Sequence, residues 1–260
     1  MSTKQPAAWS TLLNEAVTKP GTLSAAYRAF HSYSLGNQLL AAFQCAGRGI
    51  PLGPIATYKG WQAKGRQVKR GEKALTLCMP VTVKKQDADE ASDPEYLTAF
   101  VYKPRWFVLA QTDGPDHFEP EHLPDWHLSL ALDALDVTLA DFTHPDGNCQ
   151  GYASKRSIAI NPVAALPEKT TFHELAHVVL GHTTEGEHSD GEHLPRSLRE
   201  VEAEGVAYVL CSVLDLAGAE SARAYIQSWL DGASIPERSA QRILTAAQTI
   251  LEAGQQEQAA

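Results

Sequence analysis

The sequence is poor in cysteine, has no long apolar run and carries no overall excess of positive charge. Its four cysteines, Cys45, Cys78, Cys149 and Cys211, are scattered and form no CxxC pair. This excludes a disulfide framework and a thiolate zinc knuckle, and the four read as buried or half-buried thiols. No stretch approaches the roughly 20 consecutive apolar residues of a spanning helix, and the opening MSTKQPAAWS lacks the apolar core of a signal peptide. The expected compartment is the cytoplasm. A nucleobase deaminase is disfavoured too, because that chemistry pairs HxE with PCxxC and no PCxxC occurs. What remains is ordinary globular material, 43% hydrophobic and 20% charged over 260 residues. That is enough for one large domain or two small ones.

The net charge of −9 argues against a nucleic-acid partner until it is divided along the chain. Residues 1–110 hold 14 Lys and Arg against 7 acids, a net of +7, whereas residues 111–260 hold 8 against 24, a net of −16. A basic half attracts polyanions by counterion release and an acidic half repels them. The sign changes at DGPDHFEPEHLPD, residues 113–125, whose three prolines and five acids have the composition of an exposed linker. The expected organisation is therefore two domains, 1–112 and 126–260, with DNA confined to the first. A second acidic stretch, Asp87 to Pro94, reads as a long hairpin loop, and the C-terminal GQQEQAA as frayed.

In the first half, Trp9, Leu12, Leu13, Ala16 and Val17 recur at helical spacing before Pro20-Gly21 stops them. A second helix is predicted over Leu35 to Ala46, with Ser34 as its cap. The period then changes to two. Leu75, Leu77, Met79, Val81 and Val83 mark a strand placed near a sheet edge by Pro80, with Tyr96 to Tyr102 and Trp106 to Leu109 as partners. This half is α+β with an antiparallel sheet. Between these elements lies YKGWQAKGRQVKRGEK, residues 58–73. Here Lys59, Lys64, Arg66, Lys69, Arg70 and Lys73 can track phosphates while Tyr58 and Trp61 stack on unpaired bases, a combination suited to single strands. The alternatives are solvated lysines on a sheet face and core aromatics.

The segments WSTLLNEA, FHSYSLGNQLLAAFQ, YKGWQAKGRQVKRGEKAL and FVLAQT together resemble the N-terminal domain of ArdC-type antirestriction proteins, over about residues 8–112. That resemblance implies single-stranded-DNA binding. Many members have Tyr-x-Gly-Ile-Asn where this chain has Tyr33-Ser34-Leu35-Gly36-Asn37.

The second half contains His173-Glu174-Leu175-Ala176-His177, an HExxH pattern. With 10 His and 18 Glu in the chain, chance would supply this pentamer about 0.03 times. On a helix both imidazoles face one zinc ion, and the glutamate between them is placed to take a proton from an attacking water. Pro167 suits the first turn, Glu168 the positive helix end, Phe172, Leu175, Val178 and Val179 the packed face, and Gly181 the stop. A catalytic zinc needs a third protein ligand. In RSLREVEAEGVAYVLCSVL, Glu200 and Glu204 lie about 40° apart at the border of the apolar face, with Glu202 about 160° from both. Glu200 is therefore assigned as the third ligand and Glu204 as the acceptor that holds a ligand histidine in its tautomer, the alternative being pairing with Arg196 or Arg199. Glu202, His188 and His193 read as solvated. His182 fails the metzincin spacing and reads as a helix-end or exposed histidine, the alternative being a role behind a metal ligand or in polarising the substrate. Tyr208 reads as packing, the alternative being a group that approaches the site and stabilises an oxyanion.

HELAHVVLGH followed by EVEAEGVAYVL is similar to the zincin-like metallopeptidases of the ImmA/IrrE group and of ArdC C-terminal halves, over about residues 150–215. The resemblance implies a mostly helical zincin-like domain with His173, His177 and Glu200 as ligands, Glu174 as catalytic residue, and Glu204 where aspartate is common. Zinc is the expected metal, with manganese or cobalt as substitutes. Ile158 to Ile160 is expected to be the edge strand that aligns an extended peptide. The expected function is an antirestriction-type, single-stranded-DNA-binding metalloprotease of a mobile element, acting on an unidentified protein substrate. Two alternatives stand beside it: a non-proteolytic protector with a structural metal, and a repressor-cleaving protease.

Overall fold

A computed structural model describes residues 6–84, 96–117, 123–146, 148–183, 194–230 and 233–255. The acidic stretch 87–94, His188, His193 and the last five residues lie outside them. In chain order come α1 (Trp9–Thr18), α2 (Thr22–Phe30), α3 (Leu35–Arg48), β1 (Ile55–Thr57), α4 (Tyr58–Ala63), β2 (Gln67–Val68), β3 (Leu75–Lys84), β4 (Tyr96–Val108) and β5 (Thr112–Asp113). Then follow α5 (Leu128–Leu135), β6 (Thr138–Leu139), β7 (Gly151–Ser154), β8 (Ser157–Ile160), α6 (Pro167–Val179), α7 (Arg196–Val213), α8 (Ala219–Leu230) and α9 (Glu237–Ala253). The class is α+β, and the C-terminal part is mostly helical.

The N-terminal sheet has the order β1-β4-β3, all antiparallel, so β3 is an edge, as Pro80 requires. The two partner segments of β3 form one continuous strand, β4. The outward backbone of β3 is occupied by α3. The Asn37 amide donates to Cys78 O and accepts from Cys78 N, both at 2.8 Å. Two turns later, Gln44 donates to Thr76 O at 2.8 Å and accepts from Thr76 N at 2.9 Å. These side chains take the place of a neighbouring strand and block edge-to-edge pairing. The glycine preceding Asn37 has its own reason, since a Cβ on Gly36 would lie 2.9 Å from the Trp9 ring.

The two halves do not have separate cores. Leu13, Ala16, Leu39 and Leu40 belong to one buried apolar cluster with Phe172, Leu175, Val206 and Ile243. Helix α7 lies at its centre, packed by α6, α8, α9 and α2. Polar ties reinforce the junction: Tyr208 donates its hydroxyl to Ala16 O at 2.8 Å, and Gln248 accepts from Leu35 N at 2.7 Å. The two domains of the chain thus share one continuous buried cluster. Tyr208 packs, and all four cysteines are free, with Cys45 and Cys211 buried.

Candidate functional site

Helix α6 begins with Pro167 at its first position and Glu168 in its first turn, and ends before Gly181, whose φ of 74° few residues other than glycine adopt. Phe172, Leu175, Ala176 and Val178 are buried against the core, and this fixes the rotation of the helix. His173 and His177, four residues apart, turn toward Glu200 on α7. The Nε2 atoms of His173 and His177 are 3.1 Å apart, and Glu200 Oε2 lies 3.4 Å from the first and 3.8 Å from the second. Two donors each about 2.0–2.1 Å from a tetrahedral metal are about 3.3 Å apart, so this triangle fits one divalent ion. Among the described residues it is the cluster of His, Cys, Asp or Glu that does so.

The electrostatics are those of a compact charged site. Hydrogen bonds from His173 and His177 hold the Glu200 carboxyl well below the usual carboxylate range, against the effect of its burial. Burial pushes the Glu174 carboxyl up, although the two histidines pull it down. For His173 burial works downward, but bonding to Glu200 and the charges of Glu174 and Glu204 outweigh it and leave the imidazole raised. Gly151 of β7 lies directly beside Glu174, since a Cβ built on it would sit 3.2 Å from Glu174 Cγ.

The expectations for Glu202, His182 and Ile158 to Ile160 require correction. Glu202 is not solvated: it is 0% exposed, takes a bond from Arg242 Nε at 3.0 Å and lies 3.1 Å from His182 Nε2. The helical-wheel argument assumes one wet face, but α7 is buried from Val201 through Cys211. His182 is neither exposed nor a simple helix end, since it is buried with Nδ1 3.1 Å from His177 Nδ1. Ile158 to Ile160 belong to the middle strand, not an edge. The sheet order is β6-β8-β7, with β8 parallel to β6 and antiparallel to β7. The two-residue β6 is too short to leave a periodic signal. Glu204 stands 3.6 Å from His173 Nδ1, beyond hydrogen-bond range, and is held instead by Lys169 Nζ at 2.5 Å. Arg199 reaches His182 O at 3.4 Å.

The basic segment folds as α4 followed by a short ribbon in which β2 pairs with β5. Gly65 and Gly71 turn it at φ of 72° and 88°. Its clamp is the buried Gln111, which donates to Glu72 at 2.7 Å and to Lys73 O at 3.0 Å while accepting from Val108 N at 3.0 Å. This ties FVLAQT to GEK. Lys59, Lys64, Lys69, Arg70 and Lys73 are exposed, as is Tyr58 at 43%. Lys69 also donates to Ala110 O at 2.9 Å. Trp61 is not a stacking surface: it is 0% exposed and donates its indole N–H to Phe107 O at 2.7 Å. Arg66 is largely committed to structure, through Thr112 Oγ1 at 2.8 Å, Thr112 O at 3.1 Å and Pro115 O. No helix among the described residues is long and apolar enough to cross a membrane.

Residues 9–105 match the model of the N-terminal domain of anti-restriction factor ArdC, and residues 133–212 match the IrrE N-terminal-like domain, a peptidase family. Among solved structures the chain is similar to the antirestriction ArdC protein of plasmid R388. The Mn(II)-bound form is 20% identical over 96% of this chain and 99% of that one, with a TM-score of 0.52. The metal-free form is 20% identical over 85% and 82%, with a TM-score of 0.48. No curated protein matches the chain. The chain therefore carries an ArdC-type N-terminal domain followed by an IrrE-like, metallopeptidase-like domain, the order of parts found in ArdC-like antirestriction proteins.

Proposed function

We propose that this chain is a metal-dependent peptidase that binds single-stranded DNA and protects incoming mobile-element DNA. The convergence of His173, His177 and Glu200 around one ion-sized space, with Glu174 beside it, carries the reading. His173, His177 and Glu200 hold the ion; zinc suits two imidazoles and one carboxylate, and manganese or cobalt can replace it. A divalent ion bound there supplies Lewis acidity that polarises a carbonyl and acidifies water. Glu174 acts on protons: it takes one from the attacking water as the new C–O bond forms and delivers it to the nitrogen as the C–N bond breaks.

The N-terminal unit, residues 1–112, supplies DNA affinity, and residues 113–125 join it to the peptidase unit, 126–260. Tyr58 and Lys59 on α4, Lys64 at its end and Lys69, Arg70 and Lys73 around the following ribbon are all exposed, which supports a backbone-tracking surface with one stacking ring. Tethering to single-stranded DNA raises the local concentration of a DNA-associated protein substrate. The deciding comparison is wild type against Glu174→Ala for protection of incoming DNA in a restricting bacterial host, with metal content and DNA affinity measured on both. Lost protection with both bindings intact is expected. Full protection by the variant would assign the role to DNA binding alone.

A further inference from the structure

Behind the proposed metal ligand His177 lies a closed chain of polar groups that connects α6, α7 and α9. His177 Nδ1 is 3.1 Å from His182 Nδ1, His182 Nε2 is 3.1 Å from Glu202 Oε2, and Glu202 Oε2 accepts from Arg242 Nε at 3.0 Å. His182 and Glu202 are both buried, so their contacts within the protein decide where the protons sit; Glu202 Oε2 makes both of the contacts named, while Oε1 has no hydrogen-bond partner among the described residues. Arg242 anchors the far end by also donating from Nη2 to Leu180 O at 2.9 Å.

Proton placement along this chain has one consistent solution. A carboxylate only accepts, so the short contact to Glu202 puts the His182 proton on Nε2. His182 Nδ1 is then a bare acceptor facing His177 Nδ1, which must carry its own proton. That leaves His177 Nε2 with a free lone pair toward Glu200 and His173. The reverse arrangement would have His182 Nε2 accept from Arg242 Nη2, which lies at the longer 3.4 Å and is already bonded to Leu180 O. It would also leave the Glu202 contact without a proton.

We infer that His182, Glu202 and Arg242 are positioning residues that fix the ring orientation and tautomer of His177, so that its Nε2 is presented for metal binding. This rests on the metal site proposed above. It gives a function to the histidine five residues past HExxH and to the buried glutamate between Glu200 and Glu204. His173, whose Nδ1 has no hydrogen-bond partner among the described residues, lacks such support, so the two imidazole ligands are held unequally.

The test uses full-length protein and zinc affinity measured by competition with a chromophoric chelator. His182→Leu should bind zinc about 10–100-fold more weakly, the usual effect of removing a ligand's hydrogen-bonding partner. His182→Gln, whose amide offers one acceptor and one donor, should restore much of the loss. Native-like affinity in a folded His182→Leu protein, or equal loss in both variants, would overturn the inference. Should His182→Leu fail to fold, ¹⁵N-detected ring spectra of the unmutated zinc-loaded protein still decide. A proton on His182 Nε2 is expected, and a proton on Nδ1 would refute the chain. If the unmutated protein binds no zinc, manganese or cobalt, the metal site itself fails, which is a separate result.

Discussion

Gly151 and Glu174 touch across the space between β7 and α6: a Cβ at position 151 would sit 3.2 Å from Glu174 Cγ, 2.8 Å from Thr170 Cγ2 and 3.1 Å from Ala159 O. The glycine is there for close approach rather than for an unusual turn. Gly151→Ala must displace the Thr170 side chain on α6 and presses on Glu174 beside it. We expect a loss of about 1–3 kcal/mol of stability from overpacking. Protection in the restricting host should fall by more than the folded fraction does, with zinc affinity nearly unchanged. Measured stability and protection that both match wild type would show that this contact does not position Glu174.

Trp61 and Tyr58 are three residues apart on α4, yet they should respond oppositely to truncation. Trp61 is fully enclosed, so Trp61→Ala should cost about 3–5 kcal/mol in urea denaturation. Tyr58 is 43% exposed, and Tyr58→Ala should stay within about 0.5 kcal/mol of wild type. For single-stranded DNA the exposed ring matters, and its loss should weaken binding by about 1–3 kcal/mol. Unchanged affinity in Tyr58→Ala would remove the stacking element from the proposed surface.

Arg70 and Lys73 flank Gly71, the turning residue after β2, and are exposed. If they neutralise phosphates, replacing both with alanine should weaken binding regardless of base sequence. The slope of log Kobs against log salt should become shallower by about 0.7 per lost contact on a single strand. A parallel salt dependence with lower affinity would mean that the pair acts through the fold.

Much of this architecture is legible in the residues because it depends on local pattern. The 3.6 period of α1 and α6, the 2.0 period of β3 and the HExxH spacing each show up within about a dozen positions. The donor triangle follows from two helices whose faces can be drawn on a wheel. The wheel fails when a helix is surrounded. Glu202 looks wet only if α7 has a wet side, and α9, which covers that side through Arg242, is invisible in the sequence of α7 itself. The sheet beside the site fails for a related reason, since β8 becomes central through a two-residue partner, β6. Trp61 among lysines is chemically indistinguishable from a stacking ring until the strand behind it is known to be β4, whose Phe107 O takes its indole proton.

Glu237, at the start of α9, caps a helix from the opposite end of the chain. Its carboxylate accepts from Trp9 N at 3.1 Å and Ser10 N at 2.8 Å, two of the unpaired N–H groups that open α1. Burial acts to raise its pKa, but the backbone bonds from Ser10 and Trp9 prevail and hold it below the ordinary glutamate value. A depressed folded-state pKa stabilises the protein above the unfolded value of about 4.3, and that contribution is lost as pH falls through the folded value. Glu237→Gln keeps one acceptor oxygen but loses the charge at the positive end of α1. At pH 7 we expect it to be less stable than wild type by about 0.5–2 kcal/mol, the range of helix-cap substitutions. Since every other carboxylate titrates alike in both proteins, the difference between their urea stabilities isolates Glu237. It should shrink progressively below about pH 4 as the native side chain becomes neutral. A difference that stays constant from pH 7 to pH 3 would mean that the charge contributes nothing and that the glutamine merely packs less well.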